Sequence, residues 1–147
     1  MIDVESKVFQ KCADAFRAVY PNGYIAPEYV SQPPKFPAVM VVEMDNNVDE
    51  RAIDNGNIEN AVNVMYQVDV FSNLNKGKKA QAKAIVALID EVLAQHRFVR
   101  TFCNPIQNMN DATIYRMTAR YRRRITDTET MKGGMTKWRL RPLAPIS

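Results

Sequence analysis

The sequence predicts an α+β fold: a mixed, mostly antiparallel sheet of four to five strands with two helices on one face, in the order α-β-β-α-β-β-β. Three observations predict it. Residues 3–19 and 78–95 carry apolar side chains at the three-and-four spacing of an amphipathic helix. Residues 62–71 and 112–126 instead alternate with period two, the mark of a half-buried strand. Successive strands read mostly as antiparallel hairpins, and two helices over one face of such a sheet is the simplest way to bury both helical stripes.

The first helix is expected from Asp3 to Val19, with Val4, Val8, Cys12, Ala15, Phe16 and Val19 on its apolar face and Asp3 as N-cap. Pro21, Asn22 and Gly23 end it. Residues 20–37 hold five prolines and three tyrosines, which predicts an extended arm with no internal ladder. Either it is an ordinary surface connection or an aromatic-studded arm that packs on a neighbouring subunit. Residues 36–44 are apolar and β-branched, as in a strand buried on both faces with Pro37 near its start. Residues 45–60 are polar and acidic without a hydrophobic period, so they read as a loop or long hairpin tip.

The second strand alternates Val62, Val64, Tyr66, Val68 and Val70 with Asn63, Met65, Gln67, Asp69 and Phe71. A turn at 72–77 leads into the second helix, whose predicted stripe is Ala84, Ile85, Leu88, Ile89, Val92 and Leu93, with Lys79, Lys83, Asp90 and Glu91 off it. A strand over 97–103 is ended by Asn104 and Pro105, and the strand over 112–126 follows. A polar turn at Gly133 and Gly134 precedes a last short strand over 135–141, and Pro142 and Pro145 leave 142–147 irregular. The whole of 1–147 reads as a single domain, with the arm (20–37), the acidic loop (45–60) and the tail as its appendages.

The chain has 147 residues, 46% apolar and 24% charged, which fits a globular domain with a real core and excludes a disordered chain. Nothing in it approaches a membrane span, and the start lacks the basic and apolar regions of a signal peptide, so a cytoplasmic product is expected. Cys12 and Cys103 are too few for a disulfide framework or a zinc site and read as two buried thiols. The net charge of +4 divides unevenly: residues 1–73 hold five basic and eleven acidic groups, residues 74–147 fifteen and five. Such asymmetry suits a basic nucleic-acid face opposite an acidic one, or two complementary patches that meet between copies in a head-to-tail contact.

Reactive constellations are missing from the sequence. The lone histidine, His96, falls at a helix end, where a C-terminal charge is the ordinary role. There is no nucleophile elbow and no phosphate-binding loop, and Asp45, Asp49 and Glu50 do not match a calcium-loop spacing. The expectation is a protein that is not an enzyme and takes no cofactor or metal.

The strand over 112–126 is the most informative segment. Tyr115, Met117, Ala119, Tyr121 and Ile125 share one parity and face the core, while Arg116, Arg120, Arg122 and Arg124 share the other. Such a row of like charges on an isolated subunit is self-repelling and points to an acidic or phosphate-bearing partner. Single-strand binding surfaces need aromatics beside the cations, and the strand's tyrosines point away from them. A protein partner is therefore favoured over phosphate.

Three segments together carry a family resemblance: residues 36–46; Asn60 to Val62 and Tyr66 to Asn73 with the lysine- and alanine-rich helix after them; and Asn108 with Asp111 to Tyr121. They resemble the tail terminator proteins, also called tail-completion or minor capsid proteins, of long-tailed non-contractile phages, over roughly residues 1–126. The resemblance implies a virion subunit that assembles as a homo-hexameric ring at the head-proximal end of the tail. There it would cap the tail tube protein, stop tube growth and dock the head connector, with DNA only in transit through the lumen. On that reading Arg116, Arg120, Arg122 and Arg124 form a subunit or tail-tube interface, and Asp45, Asp49, Glu50 and Asp54 face the lumen or a partner. Assembly would occur in the host cytoplasm, with no membrane involved. The alternatives are another neck component, such as a head-completion or stopper protein, and a stand-alone basic nucleic-acid-binding domain.

Overall fold

The computed structural model describes residues 1–52, 61–107 and 111–126. The elements are α1 (Glu5–Val19), β1 (Tyr24–Ala26), β2 (Ala38–Val48), a 3-10 turn at Glu50–Ala52, β3 (Ala61–Ser72), α2 (Lys78–Gln95), β4 (Val99–Ile106) and β5 (Tyr115–Thr126). The five strands form one sheet in the order β1-β2-β3-β5-β4. The β1–β2 pair is parallel and the other three are antiparallel. This is the predicted α+β class. The strand expected at 135–141, the glycine turn before it and Asp54 lie outside the described residues.

Several boundaries differ from the sequence reading. The arm at 20–37, expected to make no ladder, contributes β1: Tyr24, Ile25 and Ala26 pair with Ala38, Val39 and Met40. Three residues between Pro21 and Pro27 are too few to show a period, yet proline-free Tyr24–Ala26 supplies the ladder. Gly23 permits the approach, since a Cβ there would meet the Phe16 ring at 2.6 Å. β2 runs on to Val48, so Asp45 lies on a strand and not in a loop. Its ladder with β3 continues past a bulge at Met44, where the residues of β2 itself are exposed or half-buried although Val62 and Val64 beside them stay in the core. β4 passes through Asn104 and Pro105, which expected to end it, because an edge strand tolerates proline.

Both helices cover one sheet face. Val8, Cys12, Ala13 and Phe16 from α1 and Ala82, Ile85, Val86, Ile89 and Leu93 from α2 join the inward β-residues in one core. The α2 stripe is therefore rotated from the predicted one: Ala84 is exposed, while Ala82 and Val86 are buried. Alanine carries too little surface to fix which side of a helix faces in. The N-cap of α1 is Val4, one residue later than expected, but Asp3 still accepts the Glu5 N–H at 3.0 Å. Cys12 is buried, and burial pushes its thiol up to about 12. Cys103, expected to be buried, is half-exposed on the edge strand.

The inward face also buries two phenols whose hydroxyls are satisfied locally. Tyr66 donates to Glu43 at 2.9 Å and Tyr121 to Asp90 at 2.9 Å. Burial, followed by these carboxylate partners, drives both phenols above their ordinary range, and burial also raises Glu43. Asp90, expected off the apolar stripe, is thus a buried-side partner that also accepts from Arg100 at 3.1 Å.

The end of α2 sets up the basic edge of the sheet. Arg97 N–H bonds to Ala94 O at 3.0 Å and Phe98 N–H to Leu93 O at 2.9 Å, the two bonds of a Schellman turn. The turn demands a left-handed residue, and here that residue is Arg97 with φ 67°. His96 occupies the C-cap position with its side chain only 2% exposed, a buried site unlike the surface charge expected of it. Glycine would adopt the Arg97 conformation without a Cβ clash. Arg97→Gly is therefore expected to raise the unfolding free energy by about 1 kcal/mol. Denaturant unfolding of the two proteins measures it.

Candidate assembly surface

The face of the sheet opposite the helices carries the arginines. On β5 they alternate with core residues as the sequence requires: Met117, Ala119, Tyr121 and Ile125 are buried, and Tyr115 packs against the same core. The register decides what the arginines meet. β3 places Phe71, Asp69, Gln67, Met65 and Asn63 opposite Arg116, Thr118, Arg120, Arg122 and Arg124.

Those neighbours neutralise much of the row. Asp69 is 1% exposed and accepts from Arg116 Nε at 3.0 Å and Nη2 at 2.9 Å. Thr118 Oγ1 donates to the same carboxylate oxygen, and Gln67 Nε2 donates to the other at 2.9 Å. Gln67 in turn accepts from Arg120 Nε at 3.0 Å. The guanidinium of Arg116 also lies over the rings of Phe71 and Tyr29, and that of Arg120 over Phe102, at 5.4–5.8 Å. The expectation of a self-repelling row awaiting an outside partner is therefore corrected for Arg116 and, through Asp49, for Arg124, while Arg120 bonds to a neutral amide and has no counter-ion among the described residues.

Arg124 meets the acidic segment. Its Nε donates to Asp49 Oδ2 at 2.7 Å, while Arg51 Nε donates to Asp49 Oδ1 at 3.2 Å. The bond from Arg124, then that from Arg51, holds the Asp49 carboxyl down to about 2. Asp49, expected as a lumen- or partner-facing carboxylate, is instead a 4% exposed internal counter-ion. The structure brings together Arg124 and Asp49, and separates them from Asp45 on β2 and Glu50 in the 3-10 turn, both exposed.

The remaining arginines gather at the far edge. Arg97, Arg122, Arg123 and Arg124, with Asn63 and Val99, line a cleft of about 420 Å³ beside the start of β4. Burial, and to a lesser extent the Arg97 charge, lowers Arg123 to about 10. Among the described residues Arg97 and Arg122 make no ion pair. The sequence reading missed Arg97, placing it at the start of the predicted 97–103 strand, because it belongs to no alternating row and its left-handed turn leaves no mark in the sequence. It also missed Asp69, Gln67, Phe71 and Phe102, whose meaning depends on which strand pairs with which.

Among the described residues no group of three or more His, Cys, Asp or Glu is placed to hold a metal ion. No helix among them is long and apolar enough to cross a membrane. The described residues define a small α+β domain with one sheet face covered by the helices and the other carrying a hydrogen-bonded arginine row beside a small apolar cluster of Ala38, Met40 and Phe71. The chain belongs to the family of tail completion protein gp17, whose family model matches residues 7–141. It is accordingly a structural tail or head–tail component of a virion, and that family is not an enzyme class. Its fold is similar to a chain in the solved virion of a native gene transfer agent particle. The TM-score is 0.54 at 18% identity, covering 84% of this chain and 94% of that one. No curated protein matches the chain in sequence.

Two outcomes follow from the pairing on this face. Asp69→Ala strands a half-buried guanidinium and the Thr118 hydroxyl, and is expected to destabilise the fold by about 3 kcal/mol in denaturant unfolding. For Asp49 the folded carboxyl is depressed below its usual 3.8, so its contribution to stability is present above that value and is lost as pH falls through about 2. In Arg124→Ala the Asp49 titration followed by carboxyl NMR should move up toward the ordinary value, and the acid sensitivity of folding in that window should diminish.

Proposed function

We propose that the chain forms a ring that caps the head-proximal end of the phage tail tube. The ring ends tube polymerisation and presents the surface on which the head connector docks. The observation that carries this reading is the match to the tail completion family over residues 7–141, since a protein that completes a tail fits a place at the end of the tube. The sheet supports it with two edges of different character, open among the described residues, as a head-to-tail contact that closes into a ring requires. Six copies are proposed, with DNA crossing the lumen only in transit, and with assembly in the host cytoplasm.

Adding the purified protein to polymerising tail tube protein tests this reading. Tubes are expected to stop lengthening, with six-fold rings at one end in negative stain. Unrestricted tube growth, together with binding to portal-side proteins alone, would replace this reading with a head-completion role.

A further inference from the structure

The two sheet edges are level with each other. In one cross-strand row Asp45 on β2 pairs with Met65 on β3, Met65 with Arg122 on β5, and Arg122 with Val99 on β4. β1 pairs only with Ala38–Met40, so among the described residues β2 is an open edge at Asp45. β4 is the opposite edge. The row therefore begins at a carboxylate and ends in the arginine cleft. Two strand spacings of ~4.8 Å separate Asp45 from Arg122, and no ion pair joins them among the described residues.

The charges around the row sort the same way. Exposed Glu50 follows the β2 edge, and its neighbours Asp49 and Arg51 are bonded to each other. At the β4 edge Arg124 is bonded to that same Asp49, while Arg97 and Arg122 have no carboxylate among the described residues. Arg97 is also held in a backbone conformation that costs an arginine about 1 kcal/mol or more. Strain of this kind at an exposed side chain is characteristic of a position kept for contact.

We infer that the cleft of Arg97 and Arg122 is the seat for the β2 edge of a second copy, which inserts the carboxylates of Asp45 and Glu50. The contact joins two different patches, so each copy offers one edge and accepts the other. Flush rows let β2 of one subunit run alongside β4 of the next, and the carboxylates fix which edge meets which. This inference rests on the ring-forming reading and names the residues through which that ring would close.

A charge-swap experiment on the full chain tests it, alone and with tube protein, by light scattering after size exclusion. One variant carries Arg97→Asp and Arg122→Glu, the other Asp45→Lys and Glu50→Lys; aspartate tolerates the left-handed turn. Each alone is expected to lose assembly at least tenfold, because like charges meet at every junction. Mixed in equal amounts they should assemble again, since each junction then pairs opposite charges. Arg97→Gly is the control for folding: it should be more stable than the wild type and yet assemble more weakly. Wild-type rings that persist in both reversed variants would overturn the inference while leaving the ring standing. So would failure of the mixture to recover when both variants are folded by circular dichroism. Reversed cleft variants that assemble normally but lose affinity for duplex DNA would overturn it in favour of a phosphate site. A wild-type chain that forms no ring with or without tube protein would instead remove the ring itself, and the inference with it.

Discussion

The buried carboxylate of Asp69 is the contact on which the outer face of the sheet depends. Residues two apart on a strand stand about 6.8 Å from each other, and at an effective dielectric near 20 two guanidinium charges there repel by roughly 2 kcal/mol. A carboxylate in contact with one of them attracts by about twice that, before desolvation is counted. Asp69 makes this contact with Arg116, and through Gln67 it extends the same network to Arg120. Remove the carboxylate and Arg116 loses its counter-ion, together with the bonds that Thr118 and Gln67 donate to it. With it Arg116 is paired, as Arg124 is by Asp49 at the other end of the row, so the cations without a carboxylate among the described residues are Arg120 and Arg122 between them and Arg97 beside them.

That division follows from where each strand stops. β3 supplies one carboxylate, Asp69, which pairs Arg116, while opposite Arg120, Arg122 and Arg124 it supplies Gln67, Met65 and Asn63, which cannot balance a cation. Asp49 reaches back from beyond β2 to hold Arg124. Arg122 falls between these two sources of negative charge and Arg97 to one side of them, beside an edge strand that has no neighbour on its outer side among the described residues. The complementary carboxylates, Asp45 and Glu50, occur where β2 has outrun β1. A subunit that leaves cations without a carboxylate toward one side of its sheet and exposed carboxylates at the edge of the other is suited to joining copies of itself.

Much of this was legible in the sequence, and the reason for the rest is physical. The period-two pattern of Tyr115 to Ile125 and of Val62 to Val70 named the inward residues correctly, because burial acts on each strand by itself. Family resemblance in three segments pointed to the tail-completion family that the chain belongs to. The partners of the arginines were not legible: Asp69 is 47 residues from Arg116 and Asp49 is 75 from Arg124, and nothing within β5 states which strand will lie beside it. β1 was hidden by its brevity between prolines, and β2 beyond Met44 by its polarity, since there its own side chains are exposed or half-buried and the core is filled by Val62 and Val64 of β3. Arg97 was invisible as a functional residue because its significance comes from a left-handed turn.

Hydrogen exchange on the subunit before and after assembly tests most directly whether the two edges are the joining surfaces. Amides of Met44–Val48 and of Val99–Cys103 should become protected together in the assembled form, with no comparable change along the central ladder of β3 and β5. Edges that exchange as fast in the assembly as in the free subunit would contradict the account.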